Sequence, residues 1–154
     1  MPAVRDLGPA DAPALTALYA DYEWWADREE ADVRRALGET PVAVGLTEDG
    51  RLLAAARVLT DYVYYGTVFD VVVAADRRGE GLGRQLVAAV RDHPALADLP
   101  GLSLLCREGL VPFYEAVGFE RYGREVTVPE GGAEELVRMT VEFDDREDAG
   151  GEGD

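Results

Sequence analysis

The chain contains no lysine and no asparagine, and it has one cysteine and one histidine among its 154 residues. Cys106 alone cannot form an intramolecular disulfide, and there is no Cys/His cluster for a structural metal. No apolar run is long enough to span a membrane, and the first residues lack the core of a signal peptide. We therefore expect a soluble, cytoplasmic protein without a metal cofactor.

The charge is strongly one-sided. All 15 basic residues are arginine and face 31 acidic residues, which gives a formal net charge of −16. The negative electrostatic potential of such a protein repels nucleic acids and anionic membranes, so neither is expected as a partner. One hypothesis is a halophilic source, because an acidic, lysine-free surface suits molar salt; a GC-rich genome that favours arginine codons is the alternative. Loss of the fold below about 1 M salt would favour the first, and full activity in dilute buffer the second.

Hydrophobic periodicity and turn residues predict one mixed α/β domain over residues 1–143, followed by an acidic disordered tail at 144–154. Asp27 is expected to cap the second helix, and the Asp49-Gly50 dipeptide predicts a hairpin turn. The predicted helices cover 9–22, 27–37, 82–92 and 111–117. The predicted strands cover 4–7, 42–47, 52–59, 67–74, 102–106, 119–128 and 136–143.

The most informative segment is 69–87, FDVVVAADRRGEGLGRQLV, in which an apolar strand leads through a glycine-rich loop into a helix. Glycines allow close backbone approach, and the unpaired N–H groups of a helix N-terminus bind anions. Arg77, Arg78 and Arg84 add positive charge there. The spacing fits neither common nucleotide loop: Walker A needs a lysine, and the dinucleotide fingerprint needs a glycine where Arg84 stands.

Arg78, Gly81 and Gly83 match the acetyl-CoA signature of the GCN5-related N-acetyltransferase (GNAT) family, and residues 111–119 (VPFYEAVGF) resemble its second conserved segment. The chain thus resembles this family over nearly all of residues 4–143. The resemblance implies a mixed α/β fold: a twisted, mostly antiparallel sheet, splayed at its centre, with helices on both faces. It also implies acetyl-CoA as the co-substrate, bound in the splay.

The resemblance places the cofactor on backbone groups. The strand before the loop, at Val71, Val72 and Val73, would pair with the pantetheine arm, and an amide near Val72 or Val73 would stabilise the thioester oxygen. The pyrophosphate would be held by the loop together with the Arg78 side chain. The loop amides that would contact it are those of Gly79, Glu80, Gly81, Leu82, Gly83 and Arg84.

Three side chains are candidates for a catalytic role in proton transfer. The resemblance places Tyr114 near the sulfur of CoA, where it could protonate the departing thiolate; packing alone is the other interpretation. Asp70 is the first candidate for the base that deprotonates the amine, since burial would raise its pKa; it could instead face solvent or pair with Arg57. Glu108 is the alternative base, and the asparagine that many relatives carry in that connection is absent.

Aromatic and acidic residues are expected to form the acceptor pocket: Tyr22, Trp24, Trp25, Asp61, Tyr62 and Tyr64. Such walls suit a cationic amine with an apolar body, although each residue could equally belong to the core or rim. The favoured function is direct transfer of an acetyl group to the primary amine of a small molecule. Acetylation of a protein or peptide, a non-catalytic acyl-CoA sensor, and a homodimer remain open.

Overall fold

The computed structural model describes residues 2–143, and the chain divides into two compact units, residues 1–119 and 120–154. The strands of the first unit are β1 (Ala3–Asp6), β2 (Val42–Glu48), β3 (Arg51–Thr60), β4 (Gly66–Val73) and β5 (Ser103–Leu104). Its α-helices are α1 (Ala12–Ala20), α2 (Glu30–Gly38), α3 (Leu82–Arg91) and α4 (Val111–Ala116). The five strands form one sheet in the order β1-β2-β3-β4-β5.

Strand pairing explains why the sheet opens at its edge. The first four strands are antiparallel neighbours, whereas β5 runs parallel to β4 and pairs with it only at Thr67 and Val68. Beyond Val68 the two strands therefore part, and the second half of β4 has β3 as its neighbour on one side only. The predicted mixed, mostly antiparallel sheet is confirmed, but the opening lies between β4 and β5 at the edge of the sheet rather than at its centre.

Helices cover both faces of this sheet. Leu82, Leu86 and Val90 of α3 pack with sheet residues on one face. On the other face α1 and α2 contribute Leu15 and Val33, among others, to a separate buried cluster. The hydrophobic periodicity of these helices is thus explained by the burial of one face of each against the sheet.

The start of the second helix was predicted wrongly. The structure begins α2 at Glu30 with Glu29 as its N-cap, rather than at a cap on Asp27. Before it, Tyr22, Trp25 and Arg28 donate backbone hydrogen bonds three residues back, which makes a chain of tight turns. The Trp25 ring packs 5.2 Å from that of Tyr19, and this contact holds the turns against α1.

The second unit contains a short two-stranded sheet of β6 (Glu125–Thr127) and β7 (Ala133–Glu135). The predicted strand 119–128 is therefore much shorter, and residues 136–143 are not a strand at all. Gly131 and Gly132 both have positive φ angles and form the turn between β6 and β7. The two strands therefore pair directly beside this turn, and not over the longer apolar segments from which the strands were predicted. The predicted disordered tail, 144–154, lies outside the described residues.

Within residues 2–143, no helix has the length and apolar character needed to cross a membrane. The same part of the chain holds no group of three or more His, Cys, Asp or Glu side chains placed to bind a metal ion.

Candidate active site

A bulge interrupts β4 at the point where the sheet opens. The register between β3 and β4 shifts between Ala55, which pairs with Val72, and Arg57, which pairs with Phe69. Asp70 and Val71 together therefore oppose Ala56. Asp70 has a φ of 54°, a left-handed conformation that aspartate adopts more readily than most residues. The bulge turns the Asp70 carboxylate toward the helices α1 and α2.

Two arginines hold the Asp70 carboxylate. Arg28 donates to its two oxygens at 2.9 and 3.3 Å, and Arg57 donates twice to Oδ2 at 3.0 and 2.8 Å. Only 12% of the Asp70 side chain is exposed. Its burial would raise the pKa of Asp70, but the hydrogen bonds and charges of Arg28 and Arg57 outweigh burial and lower it. The expected rise in pKa was wrong, and the pairing with Arg57 weighed as the alternative is present.

The end of β4 offers a backbone edge to the open side of the sheet. The Ala74 N–H donates to the Leu53 carbonyl of β3, so alternation along the strand turns the N–H and C=O groups of Val73 away from β3. The Tyr22 hydroxyl donates to that Val73 carbonyl oxygen. Tyr22 in turn accepts a hydrogen bond from Arg78 Nε at 3.2 Å, and the Arg78 guanidinium lies 4.8 Å from the centre of the Tyr22 ring.

The glycine loop has the conformation that an anion site needs. Gly79 and Gly81 both have a φ of 81°, which side chains other than glycine rarely adopt, and a Cβ at either position would meet only open space. Gly81 is the N-cap of α3 and provides no side-chain hydrogen bond to the helix amides. Those amides and the positive end of the helix dipole are thus available to an anion.

The three arginines of this region differ in their partners. Arg77 donates to Glu80 at 2.8 Å and lies 3.5 Å from Glu48, so its charge is largely compensated. Arg78 and Arg84 are exposed, and within residues 2–143 neither forms a salt bridge. Arg78 and Arg84 are therefore the two arginines of this region whose charge no carboxylate compensates among the described residues.

The two sequence segments that suggested the family meet in space. A Cβ added to Gly83 would lie 3.2 Å from the ring of Phe113, so any side chain there would force that ring to shift by a few tenths of an ångström. Further along, Val87 of α3 packs with Tyr114 and Val117, and Val71 of β4 packs against the same cluster. The glycine loop, the bulged strand and α4 are thus parts of one site.

Tyr114 lies at the centre of the contact between α3 and α4. Its ring lies 4.9 Å from that of Phe113 and 5.9 Å from that of Phe119, and 8% of the residue is exposed. Burial raises the pKa of the Tyr114 hydroxyl, with a smaller contribution from the nearby Cys106. Tyr114 therefore keeps its proton throughout the neutral range. Glu108 is exposed and begins the single 3-10 turn before α4.

The aromatic residues predicted for the acceptor pocket form two separate groups. The rings of Tyr22, Trp24 and Trp25 contact one another within 5.6 Å near the end of β4. Asp61, Tyr62 and Tyr64 lie in the loop before β4 begins, roughly 20 Å away along the strand. The Asp61 carboxylate accepts hydrogen bonds from three amides of its own loop, which lower its pKa. The structure does not bring the two groups together.

A cavity of about 240 Å³ lies between α1, α2 and β3. Its lining consists of Leu15, Tyr19, Arg28, Asp32, Val33, Ala36 and Arg57. Arg28 was not predicted as a site residue from the sequence. The sequence signal that could have pointed to such a partner was Asp70, a charged residue inside an apolar strand, because a buried carboxylate requires a cationic partner.

The sequence model of the acetyltransferase (GNAT) family matches residues 5–119. The chain is 34% identical over 118 residues to serotonin N-acetyltransferase 2, chloroplastic, from Oryza sativa subsp. japonica, which covers 71% of this chain and 56% of the relative. It is 27% identical over 124 residues to histone acetyltransferase TAP1 from Glycine max, covering 73% of this chain and 53% of the relative. The chain thus spans about half the length of these curated relatives.

Among solved structures, a protein of the GNAT family from Xanthomonas campestris pv. campestris superposes with a TM-score of 0.64 at 31% identity. The match covers 79% of this chain and 87% of that one.

Proposed function

Since the chain belongs to the GNAT family of acetyltransferases, we propose that it transfers the acetyl group of acetyl-CoA directly to the primary amine of a small molecule. The observation that carries the proposal is the contact between Gly83 and Phe113. It joins an anion-binding loop to the helix that holds Tyr114, beside a strand with an open backbone edge. Acetyl-CoA supplies the acetyl thioester, and the protein supplies position, charge and protons.

The site geometry supports the binding roles that the family resemblance implies. The outward amides from Gly79 to Arg84, with the Arg78 and Arg84 side chains, hold the pyrophosphate. The edge of β4 from Val71 to Val73 pairs with the pantetheine arm. Of the two amides considered for the thioester oxygen, that of Val73 points away from β3, so Val73 is the better donor to the negative charge that develops there.

The chemistry requires two proton movements. The amine nitrogen bonds to the acetyl carbon and loses a proton, while the carbon–sulfur bond breaks and the sulfur gains one. Tyr114 donates that proton to the sulfur, because its buried hydroxyl is protonated at neutral pH. Asp70, with its lowered pKa and four hydrogen bonds from arginine, is poorly suited to accept the amine's proton. Glu108 is the carboxylate that we propose as the base.

A small-molecule acceptor is favoured by the aromatic cluster of Tyr22, Trp24 and Trp25 beside the end of β4, because bulky rings narrow the approach to the site. The similarity to a serotonin N-acetyltransferase supports this choice, whereas the similarity to a histone acetyltransferase supports a peptide acceptor.

The test is the release of CoA thiol from acetyl-CoA, measured over a panel of small amines, amino acids and lysine-containing peptides. Release that depends on a small amine supports the proposal. Release with peptides alone would transfer the assignment to protein acetylation. Saturable acetyl-CoA binding without release for any acceptor would identify a sensor, and absence of binding would contradict the assignment of the loop.

A further inference from the structure

The cavity between α1, α2 and β3 has an unusual charge for this protein. Two arginines, Arg28 and Arg57, line it and share the single carboxylate of Asp70. These three groups carry one net positive charge, in a chain whose net charge is −16. Asp32 of α2 also lines the cavity, but it is an exposed residue, whereas Arg28 and Arg57 are partly buried. The half-buried part of the wall is therefore cationic.

The two guanidiniums are held in place rather than mobile. Arg28 lies 4.7 Å from the ring centre of Tyr19 and 5.6 Å from that of Trp25. Arg57 donates to Thr40 Oγ1 at 2.9 Å as well as to Asp70. The side chains of Arg28 and Arg57 are 34% and 17% exposed, so the charges are partly removed from water. An anion at this wall would gain charge-assisted hydrogen bonds without the cost of ordering flexible side chains.

Donor capacity remains on these arginines. Each guanidinium carries five N–H groups. Within the described residues, Arg28 directs two of them to Asp70, and Arg57 directs two to Asp70 and one to Thr40. Both arginines also interact with the Tyr19 hydroxyl, and the remaining N–H groups are available to a ligand. The opposite lining is apolar, with Leu15, Val33 and Ala36. The cavity thus offers a cationic wall and a short apolar wall to the same ligand.

The cavity is connected to the candidate active site through the Asp70 carboxylate. Asp70, which joins its two arginines, is at the bulge of β4, directly before the segment from Val71 to Val73. We propose that this cavity binds the carboxylate of the acceptor, so that the substrate is an amine that also carries a carboxylate on a short apolar body, as amino acids do. This inference rests on the proposed acetyltransferase function for the identity of the reaction, but the carboxylate site can be tested without turnover.

The activity test compares amines in matched pairs that differ only in the carboxylate: leucine against isopentylamine, β-alanine against ethylamine, and 4-aminobutanoate against propylamine. The quantity measured is the ratio of kcat/KM for the carboxylated member to that for its partner. We expect a ratio of about ten or more in at least one pair, because charge-assisted hydrogen bonds have this magnitude. A ratio below one in every pair would overturn the proposal.

Arg28→Gln removes one cationic group of the wall, and we expect it to lower this ratio about tenfold, through KM. Arg34→Gln is the matched control: it removes the same charge from an exposed position of α2 where the arginine pairs with Glu30, and the ratio should not change. An Arg28 variant with an unaltered ratio would contradict the carboxylate site. Ala36→Leu, which narrows the cavity without touching a charge, should raise KM for leucine and serves if the Arg28 variant does not fold.

Calorimetric binding of N-acetyl-leucine separates this inference from the proposed function. Binding that weakens about tenfold in Arg28→Gln supports the carboxylate site even if no amine is acetylated. Acetylation of uncarboxylated amines, with no binding of N-acetyl-leucine, would leave the enzyme assignment standing and reject the carboxylate site.

Discussion

The Tyr22 hydroxyl donates a hydrogen bond to the Val73 carbonyl oxygen, on the edge of β4 that points away from β3. Tyr22 follows α1, and Val73 is the last residue of β4, 51 positions further along the chain. Because Arg78 donates to the same hydroxyl, one side chain connects the helical layer, the strand and the glycine loop. A pantetheine arm that paired with this carbonyl would compete with the Tyr22 hydroxyl for the same oxygen.

Replacing Tyr22 with phenylalanine should therefore strengthen acetyl-CoA binding severalfold, because the ligand no longer competes with a hydroxyl for the Val73 carbonyl. The readout is tryptophan fluorescence, since the chain has two tryptophans and both rings lie within 5.6 Å of Tyr22. Tyr62→Phe is the control, because Tyr62 donates its hydroxyl to the Pro41 carbonyl away from the cleft. Weaker binding in Tyr22→Phe would instead mean that the hydroxyl helps to hold the ligand.

Gly81→Ala should weaken acetyl-CoA binding about tenfold or more, because a φ of 81° is strained for alanine by roughly 1–2 kcal/mol and relaxation would turn the loop amides. The measurement is a titration with acetyl-CoA. Gly101→Ala provides the comparison: this loop glycine has no positive φ, and a Cβ there meets nothing within 4 Å. Equal effects of the two substitutions would indicate general destabilisation rather than a role of the loop.

Asp70→Asn keeps the bulge conformation, which asparagine tolerates, but removes the charge that Arg28 and Arg57 share. We expect a loss of about 2 kcal/mol or more in the free energy of unfolding at pH 7, since two half-buried arginines lose their carboxylate. Urea unfolding measures this. Asp76→Asn, which breaks the exposed pair with Arg51, should have a much smaller effect.

The same variant tests the lowered pKa of Asp70. A carboxyl whose pKa is lower in the folded than in the unfolded chain stabilises the fold above the unfolded value of about 3.9, and loses that contribution as pH falls through the folded value. The wild type should thus lose stability steeply below about pH 4, and Asp70→Asn less steeply. An identical pH dependence in both proteins would show that Asp70 does not titrate in this way.

Local features of the site could be predicted from the sequence, whereas features that depend on distant residues could not. The glycine loop and α3 could be predicted because their signals are local: positive φ angles require Gly79 and Gly81, and the apolar period identifies Leu82, Leu86 and Val90. The bulge could not, because it arises from the pairing of β4 with β3. The direction of the pKa shift of Asp70 depends on Arg28, which lies 42 positions away and carries no local signal.

The acceptor region also could not be predicted from the sequence, because it depends on contacts between distant segments. Aromatic composition singled out Tyr22, Trp24 and Trp25 together with Asp61, Tyr62 and Tyr64, but it contains no information on which strand end each group occupies. The cavity of Arg28 and Arg57 instead follows from the packing of α1 and α2 on β3. A cationic acceptor was expected from the acidic and aromatic residues, whereas the cavity places two arginines beside the bulge, which is the reason for proposing a carboxylated acceptor.

Tyr114→Phe should lower kcat about a hundredfold while the affinity for acetyl-CoA stays the same, because phenylalanine preserves the ring contacts with Phe113 and Phe119 but cannot donate a proton. Because burial raises the pKa of Tyr114, the acid form persists through neutral pH. In the wild type, kcat should fall only above about pH 10, as that form is lost, and the variant should lack this alkaline limb.

The control for this variant is Tyr122→Phe, since Tyr122 is 70% exposed and lies outside residues 1–119. A single-turnover measurement of thiol release separates the chemical step from product release. An unchanged kcat and an unchanged alkaline limb in Tyr114→Phe would show that the tyrosine contributes packing alone, and that solvent protonates the departing sulfur. Loss of acetyl-CoA binding would instead place the hydroxyl among the groups that hold the co-substrate.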